Sequence, residues 1–107
     1  MWNNQVSLSG YLTANVKEVS KTEKDDSVVH FTIGVSRING DTDFIRCTAF
    51  RHNADYMAKY GRKGSLVTLT GNLKTSVYEK DDNQIRQYEV IADSVHIHKK
   101  QEQDDPS

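Results

Sequence analysis

Residues 42–70 read TDFIRCTAFRHNADYMAKYGRKGSLVTLT and hold three patterns in a row. From about Thr42 to Arg51 the residues alternate. Ile45, Cys47 and Ala49 fall on one side, and Phe44, Arg46, Thr48 and Phe50 on the other. A period of two marks a strand with one buried face. From His52 to Gly61 the alternation stops. A short helix is expected there, with Asn53 as its N-cap and Gly61 and Gly64 as stop residues. Arg62 and Lys63 suit the negative end of its dipole. From Ser65 the alternation returns and runs to Glu79. Val67, Leu69, Gly71, Leu73, Thr75 and Val77 are expected on its core face.

Two more strands precede this stretch. Val6, Leu8, Gly10 and Leu12 alternate with Gln5, Ser7, Ser9 and Tyr11. Lys21 to Ser27 is polar and reads as a turn. Val29, Phe31, Ile33 and Val35 then alternate with His30, Thr32, Gly34 and Ser36. Asn39-Gly40 predicts a hairpin of type I′, which needs positive φ at both central residues. After the long strand, Asp81-Asp82-Asn83 turns the chain, and Ile85 to Ile97 forms the last strand. Three strands, a short helix and two strands make an all-β chain. The order matches a five-stranded Greek-key barrel with its helix between strands three and four.

The chain has 107 residues, enough for one domain. Residues 1–98 are expected to form it. Residues 99–107 are polar, carry the only proline and are expected to be a short disordered acidic tail. No apolar run approaches the roughly 18 residues of a membrane helix. No signal-peptide run opens the chain, so a soluble cytoplasmic protein is expected. The lone Cys47 excludes an intramolecular disulfide and reads as a core residue.

The net charge of −1 hides an uneven spread. Residues 42–80 carry seven Lys/Arg against three Asp/Glu, and residues 81–107 carry three against seven. A local basic surface is what binds phosphates.

The face of the third strand that points away from the core carries Phe44 and Phe50 with Arg46 between them. Two exposed aromatics on one strand need a reason. Single-stranded nucleic acid supplies one: unpaired bases stack on aromatic rings while Arg and Lys follow the phosphates. In the fourth strand, Lys74 and Tyr78 share the non-core face. Arg51, Lys59, Arg62, Lys63 and Lys80 add positive charge nearby in sequence. Phe44, Arg46, Phe50, Arg51, Lys74 and Tyr78 are therefore the candidate nucleic-acid-binding residues. The competing reading packs the phenylalanines under a loop or in an oligomer interface, and makes Tyr78 a cross-strand pair. His96 and His98 share a face and could chelate a metal with His30 or His52. No supporting acid or thiolate is spaced for it, and a solvated strand end is the better reading. There is no phosphate-binding glycine loop, nucleophile elbow or pair of catalytic carboxylates. A binding module is expected, not an enzyme, with no metal or cofactor.

Four segments together resemble the bacterial single-stranded-DNA-binding protein family over about residues 4–98. Asn4-Gln5-Val6-Ser7-Leu8-Ser9-Gly10-Tyr11-Leu12 is similar to its opening strand, N-x-V-x-L-x-G-x-L. Asp43 to Phe50 resembles its third strand, with aromatics at Phe44 and Phe50. Lys63-Gly64-Ser65-Leu66-Val67-Thr68-Leu69-Thr70-Gly71-Asn72-Leu73-Lys74-Thr75 resembles its K-G-S strand, with the following aromatic at Tyr78. Glu89 to Val95 resembles its closing strand. The resemblance implies an oligonucleotide/oligosaccharide-binding (OB) fold and a homotetramer that wraps single-stranded DNA in replication, recombination or repair. It also implies base stacking at Phe44, Phe50 and Tyr78.

The sequence departs from the family in three places. The hairpin around Ile38-Asn39-Gly40 is short, which implies one stacking contact fewer. Asn15 to Val19 lacks the D-P-E pattern. The ending Gln103-Asp104-Asp105-Pro106-Ser107 has no terminal aromatic, so weak or absent tail-mediated recruitment of replication and repair proteins is expected. A dimeric relative of primosomal replication protein N and a protein-interaction OB module are the alternatives.

Overall fold

The computed structural model describes residues 2–17, 19–21, 23, 24 and 26–98. Alternating segments become strands β1 (Val6–Leu12), β3 (Ser27–Ser36), β4 (Thr42–Phe50), β5 (Leu66–Lys80) and β6 (Asn83–Ile97). Between β1 and β3 lies a two-residue strand, β2 (Ser20–Lys21). It pairs with Ser27 and Val28, so both ends of the polar segment read as a turn are strand. Helix α1 (Arg51–Tyr60) follows β4.

The sheet order is β1-β5-β6-β4-β3-β2, and β3 returns to β1 through Tyr11↔Gly34 and Leu12↔Ile33. Five strands thus close a barrel of the OB type, with the helix between β4 and β5 as the element order predicts. All neighbours are antiparallel except β4 and β6, which run parallel through Cys47↔Val90, Thr48↔Ile91 and Ala49↔Ala92. Leu12, Val29, Phe31, Ile33, Cys47, Ala49, Val67, Leu69, Val90 and Ala92 are buried, and so are Ala54 and Met57 of α1. Burying each large aliphatic side chain contributes roughly 1.5–3 kcal/mol. The helix packs on β3, β4 and β6. Its Tyr56 hydroxyl accepts from the Ile97 N–H at 2.9 Å, which ties it to the end of β6.

Three expectations are corrected. On β5, Val67, Leu69 and Gly71 are buried, but Leu73, Thr75 and Val77 are exposed. The ladder with β1 ends at Val6↔Gly71 and that between β4 and β6 at Cys47↔Val90. Beyond these points β5 and β6 continue as a two-stranded arm, and the alternation goes on with nothing to bury it.

Asn39-Gly40 is not a type I′ turn. Gly40 has φ +98, but Asn39 is not in the positive region. The Gly40 N–H donates to Arg37 O, and the Arg37 N–H donates to Asp41 O. This is a three-residue loop ending in a glycine bulge. Paired positive φ values occur instead at Asp81 (53°) and Asp82 (65°), at the tip of the arm.

Asn53 is not the N-cap. Phe50 holds that position with extended φ −123°, and no side chain caps the helix. The Asn53 amide instead donates to Asp93 O at 3.2 Å. At the other end, Gly61 is the C-cap as expected, with φ −78° and its N–H donating to Met57 O, and Gly64 (φ +88°) turns the chain left-handed beyond it.

Asp93 is the extra residue of a bulge in β6, where the register shifts opposite Thr70 and Gly71. A Cβ on Gly71 would stand 1.9 Å from the Ile91 carbonyl oxygen, so only glycine lets the two backbones approach this closely. No helix among the described residues is long and apolar enough to cross a membrane. The expected tail, 99–107, lies outside the described residues.

Candidate nucleic-acid interface

The strand registers decide which side chains share a face. Opposite Phe44, Arg46, Thr48 and Phe50 on β4 stand Gly34, Thr32, His30 and Val28 on β3. Through the parallel ladder, Thr48 lies beside Ile91, which puts Ile85, Gln87, Glu89 and Ile91, the odd residues of β6 before the Asp93 bulge, on the same face. Across β6, Glu89, Gln87 and Ile85 stand opposite Lys74, Ser76 and Tyr78. Phe44, Arg46, Phe50, Lys74 and Tyr78 therefore point to the same side of the sheet, the first three on β4 and the last two on the arm. The sequence places these residues on two separate strands, and the barrel unites them.

The three rings are unequally available. Phe44 is 69% exposed, Tyr78 42% and Phe50 38%. Gly34 stands beside Phe44: a methyl there would lie 3.2 Å from Thr42 Cγ2, a tight contact, and 3.6 Å from the Phe44 ring edge, an ordinary one. The strand end before Phe44 is braced by Arg37, whose guanidinium gives three hydrogen bonds of 2.7–3.1 Å to the Asp43 carboxylate. These bonds hold the Asp43 carboxyl below its usual range and raise Arg37.

Arg46 and Lys74 make no ion pair among the described residues. Arg51 differs. It opens α1 with φ +56°, and its guanidinium lies 3.6 Å from Asp26. With Phe50, Glu23, Lys24 and Asp26 it lines a cleft of about 570 Å3 at one end of the face. A pair this exposed is worth about 1 kcal/mol or less, so a phosphate can compete for it. Lys59 and Arg62 line a separate cleft with Asn15, Val16 and Val19 and do not join the sheet face.

Sequence reasoning missed the centre of the face. The buried Thr48 hydroxyl donates to Glu89 Oε1 at 2.6 Å. Its only proton is used there, so His30 Nδ1, 2.9 Å from the same oxygen, is the donor to Thr48. The acid in the face is thus held by a two-step relay from β3 to β6. Glu89 falls in a strand between Tyr88 and Val90, and its spacing alone carries no sign of a partner on β4. Among the described residues no three His, Cys, Asp or Glu are grouped to hold a metal. His30 is engaged by Thr48, and His98 Nε2 lies 2.8 Å from Thr68 Oγ1. Cys47 is buried, and burial pushes its thiol up to about 12.

Comparison with known proteins bears on this arrangement. The chain is 39% identical over 100 residues to single-stranded DNA-binding protein 2 of Streptococcus agalactiae serotype V, spanning 88% of this chain and 76% of the relative. It is 38% identical over 100 residues to the single-stranded DNA-binding protein of Fusobacterium nucleatum, of which it spans 64%. It is 35% identical over 99 residues to single-stranded DNA-binding protein B of Bacillus subtilis, of which it spans 87%. Residues 3–98 match the sequence model of the single-strand binding protein family, nearly all of the described barrel and arm. With that match and these relatives, the chain belongs to the single-strand binding protein family.

Proposed function

We propose that this protein binds single-stranded DNA without strong sequence preference and protects it in replication, recombination or repair. One observation carries the reading: Phe44, Phe50 and Tyr78 share an outer face with Arg46 and Lys74, cations without an ion pair among the described residues. Stacking on rings is available to every base, and cations on the same face follow the backbone. Arg51 extends the cationic track at the Phe50 end. The role is binding in the cytoplasm, with no chemical step and no cofactor.

The assembly is a homotetramer, with a dimer as the alternative. A small barrel gains stability from association. From Val6 to Ser9, β1 pairs with β5 alone among the described residues, so its other edge is open to a second copy. The test is binding to a length series of poly-dT at several salt concentrations, with light scattering on the same samples. Saturable binding that weakens with salt and a mass near four times 12.2 kDa are expected. Failure to bind poly-dT of any length would overturn the reading, and a monomer at micromolar concentration would overturn the assembly.

A further inference from the structure

A row of three residues crosses the outer side of the sheet. His30 on β3 stands opposite Thr48 on β4, and the Thr48 hydroxyl reaches Glu89 on β6. The row lies between that of Phe50 with Val28 and that of Arg46 with Thr32. Neighbouring rows on one face are two residues apart, about 7 Å. A base stacked on Phe50 therefore brings its edge over His30. On β3, His30 lies beyond the Leu12↔Ile33 pair, in the direction away from the open Val6–Ser9 edge of β1.

The hydrogen bonds along the row run in one direction. An ionised Glu89 carboxylate only accepts, so the Thr48 hydroxyl donates its single proton to it, at 2.6 Å. Thr48 then offers only lone pairs to His30 Nδ1, 2.9 Å away, and Nδ1 must carry the ring proton. In a neutral imidazole this leaves Nε2 bare, as an acceptor. His30 is exposed, and its Nε2 has no partner among the described residues. The ring lines a cleft of about 340 Å3 with Thr13, Asn15 and Lys17, which gives a base edge room to approach.

A bare acceptor at a base edge discriminates between bases. Cytosine, adenine and guanine present an exocyclic amino group as donor, while thymine and uracil present carbonyl oxygens at the matching place. The acceptor meets the first group with a hydrogen bond and the second with lone-pair repulsion.

We infer that His30 reads the edge of the base beside Phe50 and favours bases that carry an amino group, with Thr48 and Glu89 as positioning residues that fix its tautomer. The inference rests on the DNA-binding reading and adds to it a bias at one base position. A bias of one hydrogen bond leaves binding without strong sequence preference.

The experiment measures affinity for oligo-dC and oligo-dU of one length at pH 8, where an imidazole is ordinarily neutral. Comparing the dC:dU ratio between proteins cancels what stacking and phosphates contribute. His30→Phe keeps a ring without the acceptor, and should lower the ratio about five-fold, the scale of one hydrogen bond. Thr48→Val keeps the shape and releases the tautomer, and should lower the ratio with His30 still present. A second measurement needs no variant. The ring 15N shifts of His30 in the free wild-type protein at pH 8 should place the proton on Nδ1.

An unchanged ratio in a folded His30→Phe that still binds both oligonucleotides would overturn the inference and leave the DNA-binding reading standing. A lowered ratio in His30→Phe with the wild-type ratio in Thr48→Val would overturn the positioning role. If Thr48→Val does not fold, the wild-type ring shifts decide that role. A proton on Nε2 in wild type would overturn the acceptor itself. Binding of neither oligonucleotide by wild type would instead remove the reading on which the inference rests.

Discussion

Thr48 and Glu89 meet across the parallel junction of the barrel, hydroxyl to carboxylate at 2.6 Å. The contact fixes an acid in a row that runs from Arg46 on β4 to Lys74 on β5, since Glu89 stands opposite Lys74. If DNA phosphates follow this face, as proposed, a fixed carboxylate in it opposes their binding. Glu89→Gln keeps an acceptor for Thr48 and removes the charge. It should tighten DNA binding by up to about 1 kcal/mol, the scale of one charge pair in water. The gain should shrink as salt screens it. Titrations at two ionic strengths test this, and weaker binding by the variant at low salt would contradict it.

The proposed function assigns base stacking to the three rings. Phe44→Ala, Phe50→Ala and Tyr78→Ala should each weaken poly-dT binding by about 1–3 kcal/mol, the range for one base stack. Their effects on folding should differ. Phe44 stands well into solvent and its removal should leave unfolding by urea nearly unchanged, while the more covered Phe50 should lose some stability. Three folded variants that all bind normally would move the interface elsewhere.

Charge separates from stacking in the salt dependence. Arg46→Ala and Lys74→Ala should each lower the slope of log affinity against log salt by about 0.7, the single-strand value for one phosphate contact. Arg51→Ala should lower it less, because that guanidinium already shares its charge with Asp26. Phe44→Ala should leave the slope alone. Identical slopes in wild type and all three cation variants would defeat the assignment.

Which side of the sheet each candidate residue takes was largely legible in the sequence because strand alternation is local. Ile45, Cys47 and Ala49 inside and Phe44, Arg46 and Phe50 outside follow from the period of two alone. Where a barrel stops is not local. Leu73 and Val77 continue the alternation of Val67 and Leu69, yet face solvent because β1 and β4 have left the sheet. Tyr88 belongs to the same arm, and its exposure could not be read from its own neighbours in sequence. The Thr48–Glu89 contact joins residues 41 apart, and that pairing depends on how β4 meets β6. Turn chemistry misled in the other direction. Asn39-Gly40 is the favoured type I′ pair, yet the positive φ pair falls on Asp81-Asp82. Aspartate tolerates that region through its short side chain, which makes it a weaker sequence signal.

Cys47 gives a prediction about the core beneath the interface. Its side chain is buried beside the parallel junction, and burial, with the nearby Glu89 carboxylate, pushes its thiol up to about 12. The folded protein should therefore resist thiol reagents at pH 8 and react only on unfolding. Stability should follow the same titration. The unfolded thiol loses its proton near about 8.5, while the folded one still holds it. The thiol's contribution is fully present below the unfolded value and is lost as pH rises toward the folded value. The useful quantity is a difference between two proteins that share every other group. Cys47→Ala leaves a small cavity and should be less stable than wild type at pH 7. The gap should narrow by about 1–2 kcal/mol between pH 8 and pH 10, because only wild type carries the thiol. Urea unfolding of both proteins across that range measures it. A gap that stays constant to pH 10, or rapid labelling of folded wild type at pH 8, would show that the thiol ionises in place.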